Sequence, residues 1–134
     1  MIRMKGQAAL EYTFLLGILF IILAVTIAYS TQTSLLSLRT IQSAEAVKLI
    51  ADAADRIYKS GGGNTTITVD IPGGVVNQSV ANKAIKLTLI VGNSTGDAFV
   101  VTAGNVTGQL PTSQGRYRIV VEMLSSGIVQ VRAL

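Results

Sequence analysis

Apolar and polar positions follow three successive patterns along the chain. Residues 13–29 (TFLLGILFIILAVTIAY) are almost wholly apolar, and no charged residue occurs from Tyr12 to Leu38. As a helix, that run rises about 26 Å, close to the ~30 Å hydrocarbon core of a bilayer. From Ser34 to Lys59 neither Pro nor Gly interrupts the chain, and Val47, Ile50, Ala54 and Ile57 recur at helical spacing. Charges on the other face keep the same period: Glu45 with Lys48 at i+3, then Lys48 with Asp52, Asp52 with Arg56 and Asp55 with Lys59 at i+4. Gly61-Gly62-Gly63 ends the pattern, with Lys59 suiting the negative end of a helix dipole. The spacing predicts one continuous helix over 7–60, about 50 residues and roughly 80 Å long.

Beyond the glycines the period becomes two. Ile67, Val69 and Ile71 alternate with Thr66, Thr68 and Asp70; Ile85, Leu87, Leu89 and Val91 alternate with Lys86, Thr88 and Ile90; Tyr117, Ile119, Val121 and Met123 repeat the pattern. The turn SSG joins that last strand to IVQVRAL as a hairpin, and PGG, GNSTG and GNVTG read as further turns. The expected fold class is α+β: a long N-terminal hydrophobic helix followed by a small antiparallel β-sandwich-like domain of five to seven strands over residues 64–134.

Composition narrows the chemistry. Charged residues are only 13% of the 134, and Cys, His and Trp are absent. A thiolate nucleophile, an imidazole base and a zinc site of the usual ligands are thereby excluded. The β-segment carboxylates Asp70, Asp97 and Glu122 stand one per segment, without paired spacing, and the triple glycine lacks the Lys-Ser/Thr of a phosphate loop. No catalytic residue, metal or cofactor is expected, and the chain does not read as an enzyme. The net charge is +4, with Arg3 and Lys5 at the extreme N-terminus. No basic stripe interleaved with aromatics accompanies it, so Lys83, Lys86, Arg116, Arg118 and Arg132 read as solvated strand faces and nucleic acid is not indicated.

The apolar run behind a basic start marks a membrane-insertion signal with its N-terminus on the cytoplasmic side. Three fates are open to it: a permanent anchor, cleavage behind the run near Ala28-Tyr29-Ser30, or cleavage ahead of it, which keeps the run in the mature protein. The stretch MIRMKGQAALEY favours the third. It resembles the leader region of archaeal type IV pilins with the class III signal peptide, a short basic leader ending in Gly before a mature start of the form Gln-x-Ser-x-Glu-Tyr. Lys5 and Gly6 close the leader (residues 1–6), Gln7 is the first mature residue, and Glu11 and Tyr12 complete the motif; Ala9 stands where the family has Ser.

The resemblance implies type IV pilin architecture and a sequence of partners. A prepilin peptidase cuts between Gly6 and Gln7, and an assembly ATPase with its membrane platform draws the subunit from the cytoplasmic membrane. The chain then forms a helical homopolymer with residues 13–29 in its core, exposed at the cell surface for adhesion to surfaces or other cells. It also implies a role for Glu11: pairing with the new α-ammonium of Gln7, which offsets the desolvation of both and sets subunit register. Hydration of Glu11 at the membrane edge is the alternative, as interfacial anchoring is for Tyr12. Gly17, Ala24 and Ala28 suit close helix approach. An archaellar filament subunit and a permanently anchored extracellular binding module are the other readings.

Asn usage points the same way. All five Asn lie beyond residue 60, and Asn64 (NTT), Asn77 (NQS), Asn93 (NST) and Asn105 (NVT) head acceptor sequons for N-glycosylation; Asn82 does not. With about one residue in five Ser or Thr, four of five arises by chance well under one time in a hundred, which favours an extracellular β domain. Turn chemistry alone is the competing explanation.

Overall fold

A computed structural model describes residues 2–134; Met1, the first residue of the expected leader, lies outside them. The element order is α1 (Ile2–Ser60), β1 (Asn64–Ile71), β2 (Val75–Val91), β3 (Ser94–Gly108), β4 (Gly115–Met123) and β5 (Val129–Ala133). The chain divides into two compact units, the first ending at Leu35 and the second spanning Leu36–Leu134.

The first unit is helix alone, and the helix begins at Ile2 rather than at Gln7. Nothing in the leader breaks it: Gly6 is tolerated inside a helix at a cost of about 1 kcal/mol relative to Ala. The segment 13–29 is exposed all round, with Phe14 at 68%, Ile21 at 66% and Val25 at 65%. Its threonine hydroxyls are satisfied internally, Thr13 donating to the Ala9 carbonyl at 2.9 Å and Thr26 to that of Ile22 at 2.8 Å. These bonds leave no threonine hydroxyl in the run in need of water. This helix is long and apolar enough to cross a membrane.

In the second unit α1 supplies one layer and the sheet the other. Ser43 is buried, and Ala46, Val47, Ile50, Ala51, Ala53, Ala54 and Ile57 join Val69, Ile71, Ile85, Leu87, Leu89, Ile119, Val121, Val129 and Val131 in a single core. The four expected stripe positions all fall on that buried face. Its alanines keep the helix surface low, so strand side chains reach its axis closely. The helix stops at Gly61, whose φ of 77° gives the left-handed turn of a C-terminal cap. Ser60 Oγ donates to the carbonyls of Ile57 and Gly62, both at 2.9 Å, closing the end.

The β domain differs from the expected antiparallel sandwich. It is one five-stranded mixed sheet of order β1-β4-β5-β3-β2, in which β3 and β5 run parallel. A second sheet is unnecessary because the amphipathic half of α1 covers the inner face. The sheet is also curled. Strands β1 and β2 occupy opposite edges, about 19 Å apart in a flat sheet, yet residues 72–74 join them and span at most about 14 Å.

Strand β2 folds back on itself. The Ile90 N–H donates to the Gly74 carbonyl at 2.9 Å, whereas sixteen extended residues would separate them by about 50 Å. Asn82, midway between them, has φ 55° and adjoins the register shift at Asn82/Ala84, which marks the reversal. Opposite it, GNVTG is not a turn: Gly104 to Gly108 belong to β3. Gly104 lies against the Tyr58 ring of α1, the Ala103 N–H donates to Asp55 Oδ1 at 2.8 Å, and Gly108 admits the Val131 carbonyl where a Cβ would stand. Close contact to α1 and β5 holds this segment extended. SSG does form the β4–β5 turn, Gly92-Asn93 the β2–β3 turn, and Gly73-Gly74 the turn after β1.

Gly104→Ala would drive a methyl group into the Tyr58 ring and is expected to destabilise the second unit by about 1–3 kcal/mol. Thermal unfolding of the single variant and of Gly104→Ala with Tyr58→Ala checks this. The double variant should recover part of the loss, because the two changes share one contact.

Candidate functional site

The functional residues anticipated from sequence fall into two groups, one in each unit. Lys5, Gly6, Gln7, Glu11 and Tyr12 occupy successive turns of α1, and all five are exposed. Gln7 and Glu11 stand at i and i+4, on one helix face. Beside them, Gly6, Ala9, Thr13 and Gly17 form the floor of a shallow groove walled by Leu10, Phe14, Ile18 and Ile21. A Cβ at Gly6 or Gly17 would meet no atom of the chain within 4 Å. Nothing inside the subunit therefore requires glycine there. Small residues at these positions permit close approach of a second helix.

The sequon asparagines are all exposed. Asn64 opens β1, Asn77 lies in β2 with its Oδ1 accepting the Gln78 N–H at 2.8 Å, Asn93 occupies the β2–β3 turn, and Asn105 lies in β3. Three of the four are thus strand residues rather than turn residues. Asn105 lies in β3 next to Val106, which pairs with Asn82 and Val129.

The charged residues of the sheet form cross-strand pairs that sequence spacing concealed. Arg116 Nε donates to Asp70 Oδ1 at 2.8 Å across the direct β1–β4 register pair. Arg132 pairs with Glu122 at 3.3 Å and Lys86 with Asp97 at 3.7 Å, while Thr88 Oγ1 donates to Asp97 at 2.7 Å. The three carboxylates that looked isolated along the chain each meet a cation on a neighbouring strand. Three of the five β-domain cations are neutralised in this way, which weakens any basic surface for phosphate. The helix-face pairs expected at i+3 and i+4 are not among the ion pairs of the described residues, and Asp55 instead accepts the Ala103 N–H.

The hydrogen bond from Arg116, with its charge, holds the Asp70 carboxyl below the usual carboxylate range and raises Arg116 in turn. No protein-family model, curated protein or solved structure matches the chain.

Because the folded value of Asp70 is lowered, its contribution is present above the ordinary carboxylate range and fades as pH falls through that lowered value. Acid titration of the melting temperature should therefore drop less steeply in Asp70→Asn than in the parent chain, with a small effect because the pair is exposed.

Proposed function

We propose that this chain is the structural subunit of an archaeal type IV pilus-like surface filament, polymerising through its N-terminal helix and serving adhesion. One observation carries the reading. A helix apolar on every side, with no covering from its own chain, directly follows Lys5-Gly6-Gln7 with Glu11 and Tyr12. In the precursor, lipid covers that helix. In the filament, copies of the same helix cover it, and the small residues Ala9, Thr13 and Gly17, which remain after cleavage, suit such packing.

Cleavage between Gly6 and Gln7 changes the electrostatics of the segment. The helix acquires a new positive terminus at Gln7, and Glu11 moves from mid-helix to the second turn, on the same face as the new ammonium. A carboxylate near a helix N-terminus is favoured, and the pair carries no net charge into the apolar bundle. Pairing with the ammonium of the same or an adjacent copy fixes the stagger between subunits. Prepilin peptidase, an assembly ATPase and its membrane platform are the partners this reading requires, with the sheet unit outside the membrane.

Electron microscopy of producing cells should reveal filaments that bind antibody to the sheet unit. In Glu11→Ala, subunits should accumulate cleaved in the membrane while surface filaments fall at least tenfold. Parent chain found only as dispersed membrane monomer would contradict the filament reading. Normal filaments from Glu11→Ala would contradict the role given to Glu11.

A further inference from the structure

The two edges of the sheet are built differently. On the β2 side the register shifts between Asn82 and Ala84, Asn82 takes a positive φ, and Lys83 and Lys86 stand on the strand. Bulges and lysines are common means of keeping an edge from accepting another chain. The β1 side has neither. Its strand, NTTITVDI, holds no Pro and no basic residue, and its ladder with β4 runs unbroken from Asn64 to Ile71. Because β1 pairs with β4 alone, half of its eight residues turn their N–H and C=O groups away from the sheet. No other backbone group of the described residues bonds to them.

Helix α1 runs beside that edge and leaves a groove of about 160 Å³, with Gln42, Glu45 and Leu49 on the helix side and Thr68 and Asp70 on the strand side. Gln42 and Asp70 also line its continuation toward Arg116. A groove this small does not enclose a small molecule, for which pockets of about 300–1,000 Å³ are usual. It suits a single extended strand. Gln42, Glu45 and Leu49 form one stripe of the helix. Glu45 and Leu49 stand about 6 Å apart along its axis, and alternate residues of a strand advance about 6.8 Å. One side chain of an added strand therefore meets Glu45, and the next on the same face meets Leu49.

The stripe also selects the occupant. Glu45 forms no ion pair among the described residues, whereas Asp70 is already met by Arg116. Leu49 is 44% exposed. A carboxylate and an apolar side chain at this spacing call for a basic residue with an apolar one two positions away. A second copy of β1 is a poor match, since it brings Asp70 and no basic residue.

We propose that this groove receives an extended segment of another protein, which joins the sheet as a further strand beside β1 and sets Lys or Arg over Glu45 and an apolar side chain over Leu49. Main-chain hydrogen bonds along β1 supply the affinity, and the helix stripe chooses the sequence. The site lies wholly in the second unit, so it stands or falls apart from the filament reading.

The test uses the full-length chain in detergent and short fluorescein-labelled peptides. The first is Thr-Val-Thr-Lys-Thr-Leu-Thr-Val, the second has Glu in place of Lys, and the third is the first with every backbone nitrogen methylated. Fluorescence anisotropy should show saturable binding of the first, at least tenfold weaker binding of the second and none of the third. Hydrogen exchange should slow at the β1 amides that face the groove when the first peptide is bound. Glu45→Lys should reverse the preference, binding the Glu peptide at least tenfold more tightly than the Lys peptide, which also shows that the variant is folded. No saturation by the first peptide below about 1 mM would overturn the proposal. So would binding that survives methylation, or a preference unmoved by Glu45→Lys. Concentration-dependent protection of β1 without any peptide would assign the edge to a second copy and overturn it too.

Discussion

An apolar helix that its own chain does not cover governs the rest of this molecule. Residues 13–29 expose leucine, isoleucine and phenylalanine on every side, and burying such side chains is worth about 1.5–3 kcal/mol each. No isolated aqueous state suits a surface of that kind. On the reading proposed above, lipid and then neighbouring helices supply the burial, and a leader cut ahead of the segment permits both in succession. The hydroxyls of Thr13 and Thr26, bonded to their own backbone, fit either surrounding.

The same helix meets the opposite constraint beyond Leu36. There it has one buried stripe, rich in alanine, and a curled sheet closes over that stripe. Short covalent links force the curl: residues 72–74 tie β1 to β2 although the two strands lie at opposite edges. Tyr58 and Asp55 then fasten the end of α1 to the bulged stretch of β3, through a glycine contact and a backbone hydrogen bond. A sheet held by both its edges and its centre leaves its outward face for polar pairs and sequons.

What could be read from the chain was what depends on neighbours in sequence. The stripe Val47, Ile50, Ala54 and Ile57, the stop at Gly61 and the alternation around Ile119 need only local periodicity, and all three hold in the fold. What could not be read depends on distant partners. Gly104 and Gly108 look like turn residues until Tyr58 and Val131 are seen to occupy the space of their missing side chains. The parallel β3–β5 pair and the reversal of β2 at Asn82 are properties of strand order, which a period of two does not encode. Asp70 and Arg116 are 46 residues apart in sequence, so their pairing was equally hidden. Of the candidate site, the leader motif and the sequons were legible as residues. The groove at Gly6 and Gly17, and the strand setting of Asn105, emerged only with the helix and sheet in place.

The central claim is that the apolar helix is kept and its leader removed. Mass spectrometry of the protein from its native cells, read at the N-terminal peptide, tests it most directly. The account predicts a chain beginning at Gln7, in open or cyclised form, with residues 13–29 retained. A chain that keeps Lys5-Gly6, or one that begins beyond Ser30, would contradict it.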